Sequence, residues 1–433
     1  MSALARYFNE QGVSIYGYDR SKTDLTKSLE KEGMDIHYEI DTTKIPDQVE
    51  LVVYTPAIPS ENEELVFCRE KGWLVKKRAE VLGEISRDKY TIAVAGTHGK
   101  TTITSMIAHL LRGSEHDATA FIGGIPLNYG TNFLNGNSDT VVVEADEYDR
   151  SFHQLSPDIA IITAIDDDHL DIYGDRAALV QAYIEFTEKI KPGGTLLVHE
   201  DLKKYFDSAN CRVLTYSSQR VADYQIKTID QVNGSYRYTI DSKGGSEEFV
   251  LNIGGTYNVL NSIPAIAVAQ QLGLDPKDIS TSVESFGGIQ RRFEYIFRGE
   301  DQVFIDDYAH HPEELRVLLE STRALFPEKT LTVVFQPHLF SRTRDSRDGF
   351  AESLSLADEI ILLPIYPARE EPIEGVSSEI ILERMSGKKV VVLDREELLE
   401  EIEKRQPELL LTVGAGDISE LIPEIKTRLH KPH

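Results

Sequence analysis

Apolar, β-branched runs alternate with stretches of helical period along most of the chain, the arrangement expected of parallel strands covered by helices. Residues 13–18 and 51–54 read as strands, with a helix over residues 25–33 between them and another over residues 2–11 at the start. Residues 91–95, 141–143, 159–163 and 196–198 form a second group of strands, followed by a polar, β-rich insert over residues 223–253. A helix over residues 258–272 then stops at Gly273, which suits the left-handed residue that closes a helix. A third group, from residue 294 onward, places strands at 303–305, 331–335, 360–363, 390–393 and 409–413. The predicted class is α/β throughout, in three domains over residues 1–88, 89–292 and 293–433.

Composition narrows the partners. At 433 residues the chain exceeds what one hydrophobic core usually organises. A net charge of -26 excludes broad nucleic-acid binding, because neutralising phosphates needs clustered Lys and Arg and carboxylates dominate here. An anionic substrate must therefore meet locally placed cations. No apolar run approaches the roughly 20 residues of a membrane span, and residues 1–12 are amphipathic rather than a secretory signal. Cys68 and Cys211 have no metal-type spacing and fit a reducing compartment, so a cytoplasmic protein without membrane or nucleic-acid partners is expected, as monomer or homodimer.

The strongest chemical signal follows the strand at 91–95. Gly96-Thr97-His98-Gly99-Lys100-Thr101-Thr102 leads into a helix whose apolar positions Ile103, Met106, Ile107, Leu110 and Leu111 keep helical spacing. Strand, glycine loop and helix N-terminus together point backbone N–H groups at phosphate oxygens; Lys100 can reach the β- and γ-phosphates and the Thr101 hydroxyl can ligate Mg²⁺. The longer form of this loop has a glycine where Val94 stands, so the match is to a shorter variant. A tight glycine turn before an ordinary helix is the structural alternative.

Two acidic clusters are delivered to the same sheet edge. The strand at 141–143 ends in Glu144-Ala-Asp-Glu147, where Glu144 is the best-placed metal ligand and a solvated loop carboxylate is the plain alternative. The strand at 159–163 leads to Asp166-Asp-Asp168-His169; His169 is a candidate for a second divalent ion, against a helix cap or a packed ring. Asp306/Asp307, Gln336/His338 and Gly414-Ala-Gly416-Asp417 all follow apolar strands of the third group. His310-His311-Pro312 has no metal-type spacing and reads as a helix begun by proline.

Taken in order, Gly96-Thr-His-Gly-Lys-Thr-Thr102, Glu144-Ala-Asp-Glu147, Asp168-His169, Asn258-Val-Leu-Asn261, Arg291-Arg-Phe-Glu294, Asp306-Asp-Tyr-Ala-His-His-Pro312 and Gln336-Pro-His338 resemble the Mur ligase family, within it the UDP-N-acetylmuramate–L-alanine ligases, over nearly the whole chain. The resemblance implies a Rossmann-like N-terminal domain for the UDP-sugar, a central P-loop ATPase-like domain with a parallel sheet, and a Rossmann-like C-terminal domain for the amino acid. It implies an ATP- and Mg²⁺-dependent enzyme of peptidoglycan synthesis that activates UDP-N-acetylmuramate as an acyl phosphate and passes it to L-alanine. Carried onto this sequence, Lys100, Glu144 and His169 are catalytic, and Thr101, Glu144 and His169 hold metal. Gly96 to Thr102, Asn258, Arg292 and Asp307 contact ATP. His310, His338 and Arg342 form the amino-acid end, with Arg342 suited to a carboxylate. Gly123, Gly124 and Asn132 resemble the loop that approaches the UDP-sugar, although a glycine-rich turn without ligand reads equally well.

The sequence departs from the family at Tyr257, where His usually precedes Asn258, at Leu339, where a basic residue often follows Gln-Pro-His, and at Ala164, where Asn is usual. Members also begin with a strand and a Gly-x-Gly-Gly-x-Gly turn ahead of the Met-Ser that stands here as Met1 and Ser2. The N-terminal domain is therefore expected to lack its first strand, to fold poorly and to bind the UDP-sugar weakly. Two other readings stay open: a related ligase that attaches an L-Ala-D-Glu-diaminopimelate tripeptide to the same sugar, and a non-catalytic nucleotide-binding homologue.

Overall fold

A computed structural model describes residues 1–166, 170–232, 234–368, 370–385 and 389–429. It divides into two compact units: Met1–Thr228 with Tyr238–Phe249 and Leu260–Ser285, and Ile229–Arg237 with Val250–Val259 and Phe286–His433.

In the first unit, Tyr16–Tyr18 (β1) pairs in parallel with Asp35–His37 (β2), and Val52–Tyr54 (β3) with Val75–Lys77 (β4). The strand expected from residue 13 starts three residues later because Val13 closes the first helix, Ser2–Glu10: Gly12 takes φ +81 and Val13 N–H bonds the Phe8 carbonyl. Strands β2 and β4 escape sequence reading, since three residues are too few to display an alternation.

The main sheet is built from Tyr90–Ala95 (β5), Thr119–Phe121 (β6), Phe133–Leu134 (β7), Thr140–Glu144 (β8), Ile159–Ile162 (β9), Thr195–His199 (β10) and Arg212–Ser217 (β11). Its order is β11-β10-β9-β5-β8-β6-β7, parallel except at β7, and it continues beyond β11 through Tyr224–Val232 (β12), Ser235–Ser242 (β13) and Gly245–Leu251 (β14). The last three are the expected polar insert. Every residue of β5 after Tyr90 is buried, as a strand covered on both faces requires. The helix Lys100–Leu111 is buried almost all round, and the helix Arg176–Thr187 sets Tyr183 and Phe186 against Phe152, with the Phe152 and Phe186 rings stacked at 5.0 Å. The helix Thr256–Gln271 closes as expected at Gly273, φ +79.

The second unit is a six-stranded sheet of Glu294–Arg298 (β15), Val303–Asp307 (β16), Leu331–Phe335 (β17), Glu359–Leu362 (β18), Lys389–Val392 (β19) and Leu409–Val413 (β20). The order is β15-β16-β20-β17-β18-β19, with β15 antiparallel and the rest parallel. Among the described residues no helix is long and apolar enough to cross a membrane.

Candidate functional site

Strand β5 lies between β8 and β9; the chain leaves β5 toward β6 on one side and leaves the adjacent β9 toward β10 on the other, so the order reverses between them, and ligands bind beyond the strand ends at such a point. The registers Val94 to Glu144, Ala95 to Ile162 and Phe121 to Val143 bring the ends of four parallel strands level. Gly96, Gly123, Glu144 and Thr163 consequently meet at one edge.

The loop between β5 and the helix Lys100–Leu111 requires its glycines. Gly96 takes φ +123, and a Cβ there would lie 2.0 Å from Thr163 Oγ1; Gly99 takes φ +80, and a Cβ would lie 2.6 Å from Asn261 Oδ1. Thr97 N–H bonds the Ala164 carbonyl at 3.0 Å and Thr163 Oγ1 bonds the His98 carbonyl at 2.5 Å, which ties the loop to the end of β9. His98 is exposed, 3.4 Å from Asp166. Thr102 is buried under the loop.

Two carboxylates of one short segment meet different groups. Glu144 Oε2 accepts from Thr101 Oγ1 at 3.2 Å and Oε1 from Gly123 N–H at 2.5 Å. Glu147, fully buried, accepts from Lys100 Nζ at 2.8 and 3.0 Å, while the same ammonium donates to the Gly96 carbonyl at 2.7 Å. Burial, and then the Glu147 carboxylate, push the Tyr173 phenol up to about 12. The Thr101 hydroxyl and the Glu144 carboxylate are hard oxygen donors and suit Mg²⁺, which takes one or two protein ligands and completes its shell from water and phosphate. Among the described residues no three His, Cys, Asp or Glu gather as a protein-only cage. Asp168 and His169 lie outside the described residues. Gly124 follows Gly123 in the same bend, whereas both polar atoms of the Asn132 amide are engaged, Oδ1 by Arg6 Nη1 at 2.7 Å and Nδ2 by Ser2 Oγ at 2.9 Å.

In the second unit the ends of β16, β20 and β17 are adjacent. Asp307 is buried and accepts from Phe293 N–H and Ala309 N–H, both at 2.7 Å; burial nonetheless pushes its carboxyl up to about 7. Burial first, and the nearby Asp307 carboxylate second, keep the Tyr257 phenol protonated. Asn258 donates to the Gly254 carbonyl at 2.7 Å, so its amide braces its own turn. Arg291, at φ +60, reaches Asp306 at 3.1 Å and the Gly414 carbonyl, whereas Arg292 is exposed. His310 and His338 meet edge to face with ring centroids 6.0 Å apart, His338 stacks on Tyr366 at 5.8 Å, and Arg342 Nη1 lies 3.5 Å from His338 Nδ1. Burial and then Arg342 push the His338 imidazole down to about 4. Gln336 joins this end by bonding Asp417 at 2.7 Å and Ile418 N–H at 2.9 Å.

Residues 1–90 match the Mur ligase family catalytic domain, residues 94–269 the Mur ligase middle domain, and residues 291–416 the Mur ligase glutamate ligase domain. The UDP-N-acetylmuramate–L-alanine ligase of Cytophaga hutchinsonii is 44% identical over 98% of this chain and 94% of its own length. The chain belongs to the Mur ligase family. That of Phocaeicola vulgatus is also 44% identical, over 100% of this chain and 96% of its own. Among solved structures, the UDP-N-acetylmuramate–alanine ligase of Thermotoga maritima superposes with a TM-score of 0.84 at 29% identity, covering 99% of this chain and 96% of that one. A murein peptide ligase of Psychrobacter arcticus shares the Mur ligase fold at a TM-score of 0.70 and 23% identity.

In this Mur ligase the glycine loop at residues 96–99 lies between a buried strand and a helix, as the sequence pattern predicts. Sequence reading did not single out Glu147, Asn261, Arg291, Gln336 or Asp417 as site residues. Each stood inside a quoted motif, yet residue type alone does not say which of two acids or two arginines turns inward.

Proposed function

We propose that this Mur ligase joins the carboxylate of UDP-N-acetylmuramate to the amine of L-alanine in peptidoglycan synthesis, using ATP. The observation that carries the reading is 44% identity, over nearly the full length of both chains, to ligases of that name. The domains would be residues 1–88 for the UDP-sugar, 89–292 for ATP and 293–433 for the amino acid.

A carboxylate is a poor acyl donor. Its oxygen attacks the γ-phosphorus, ADP leaves, and the acyl phosphate is opened by the alanine amine through a tetrahedral intermediate that expels phosphate. Loop N–H groups and Lys100 would hold the triphosphate in line for that attack, with Gly96 and Gly99 allowing the backbone to approach. Thr101 and Glu144 would hold Mg²⁺, with His169 beside a second ion; bound there, the metal supplies positive charge to the phosphoryl oxygens. In the second unit, neutral His338 and the Arg342 guanidinium would receive the amino acid, Arg342 at its carboxylate. Asn258, Arg292 and Asp307 would serve ATP.

The test is phosphate release from ATP and UDP-N-acetylmuramate with L-alanine against L-Ala-D-Glu-diaminopimelate. A response to L-alanine is expected, and a response to the tripeptide alone would replace this reading by the recycling one.

A further inference from the structure

A loop built for phosphate presents its lysine to the ligand, yet Lys100 already has an anionic partner. Its Nζ lies 2.8 and 3.0 Å from the two Glu147 oxygens, and the Glu147 side chain has no exposed surface, against 18% for Lys100. Glu147 is also held from its backbone, because the Tyr173 hydroxyl and Arg150 N–H both donate to its carbonyl, at 2.5 and 2.9 Å. A third Lys100 contact, to the Gly96 carbonyl, bends the ammonium back across the loop. Glu144 and Glu147 therefore divide the work of one acidic segment, the first facing the Thr101 hydroxyl and the second the loop cation.

We infer that Glu147 is a positioning residue that restrains Lys100 and thereby sets how tightly the loop holds nucleotide; this rests on the reading of the loop as the ATP phosphate site. The sign follows from two limiting cases. If Lys100 keeps Glu147 while it binds phosphate, its charge is shared with that carboxylate and less of it acts on the triphosphate. If Lys100 leaves, its two bonds to that buried carboxylate are broken, which is costly. Both weaken nucleotide binding and ease the release of ADP.

Glu147→Gln keeps the shape and removes the charge. Titration calorimetry with ADP and with a non-hydrolysable ATP analogue is expected to show binding at least about tenfold tighter than in the native chain. Loss of a merely structural group would instead weaken binding. With Lys100→Ala as background, adding Glu147→Gln is expected to change Kd by less than about threefold, because no lysine remains to be restrained. Unchanged or weaker binding by Glu147→Gln, or equal tightening in both backgrounds, overturns the inference. Lys100→Ala binding nucleotide as tightly as the native chain overturns the reading of the loop itself. Should Glu147→Gln fail to unfold cooperatively, Glu147→Ala takes its place with the same expectations, since both bonds to the residue 147 carbonyl survive.

Discussion

Thr101 Oγ1 and Glu144 Oε2 stand 3.2 Å apart, so the first hydroxyl after the loop lysine and the last residue of β8 face one another directly. A hydroxyl and a carboxylate at that separation can share one hard cation. Glu144→Gln keeps an oxygen in place and removes the charge, and turnover is expected to fall at least about 100-fold with a higher Mg²⁺ requirement. Thr101→Ala is expected to cost less, about tenfold. Phosphate release measured against Mg²⁺ concentration checks both, and an unaltered Mg²⁺ dependence in Glu144→Gln would remove the assignment.

Gly96→Ala tests the loop's shape without touching its charges. The residue sits at φ +123, and the added methyl would meet Thr163 Oγ1 at 2.0 Å and the Thr163 and Ala164 backbone nitrogens at 2.8 and 2.9 Å. Two of those three neighbours are backbone and cannot swing aside. A stability loss of about 1–3 kcal/mol is expected, with nucleotide binding abolished. Thermal unfolding and calorimetry read the two effects separately; wild-type ATP affinity would mean that the loop does not cradle phosphate.

The shape of the glycine loop at residues 96–99 is legible because everything it needs is local: a buried strand, glycines where φ is positive, and a helix start within a dozen residues. What is not legible depends on long-range partners. Nothing in Arg291-Arg292 says which arginine pairs with Asp306; the structure decides it by φ +60 at Arg291, which carries that side chain to Asp306 and Gly414 and leaves Arg292 exposed, its charge acting on Asp307. Asn132 reads as part of a glycine-rich ligand loop, yet its amide is committed to Ser2 and Arg6, 130 and 126 residues away. The first strand begins late because Val13 serves the end of a helix, a choice that depends on Gly12 and not on Val13 itself.

Arg6 supplies the third test. Its guanidinium grips Glu32 through Nε at 2.8 Å and Nη2 at 2.7 Å, and Asn132 through Nη1, with only 7% of the residue exposed. Arg6→Ala is expected to cost about 2–3 kcal/mol, at the low end for a broken buried pair because Glu32 keeps some solvent. Arg6→Lys should recover little, since an ammonium cannot make the planar two-pronged contact. The KM for UDP-N-acetylmuramate is expected to rise in both variants if Asn132 borders the sugar. Urea unfolding and initial rates decide, and full recovery by lysine would argue against the fork.

The pH dependence of the second unit combines two opposed groups. Asp307 is raised from 3.8 to about 7, so its contribution to stability is fully present below pH 3.8 and is lost as pH rises through about 7. His338 is depressed from 6.5 to about 4, so its contribution is present above pH 6.5 and is lost as pH falls through about 4. Between pH 4 and 6.5 the two slopes cancel in part. His338→Gln should therefore gain stability relative to the native chain as pH falls through that window. Asp307→Asn should gain as pH rises from 4 to 8, by an amount on the order of 4 kcal/mol for a shift of about three units, if both backbone donors find the amide. Urea unfolding followed by circular dichroism from pH 4 to 8 measures each difference, and parallel curves for variant and native chain would show that neither group titrates away from its unfolded value.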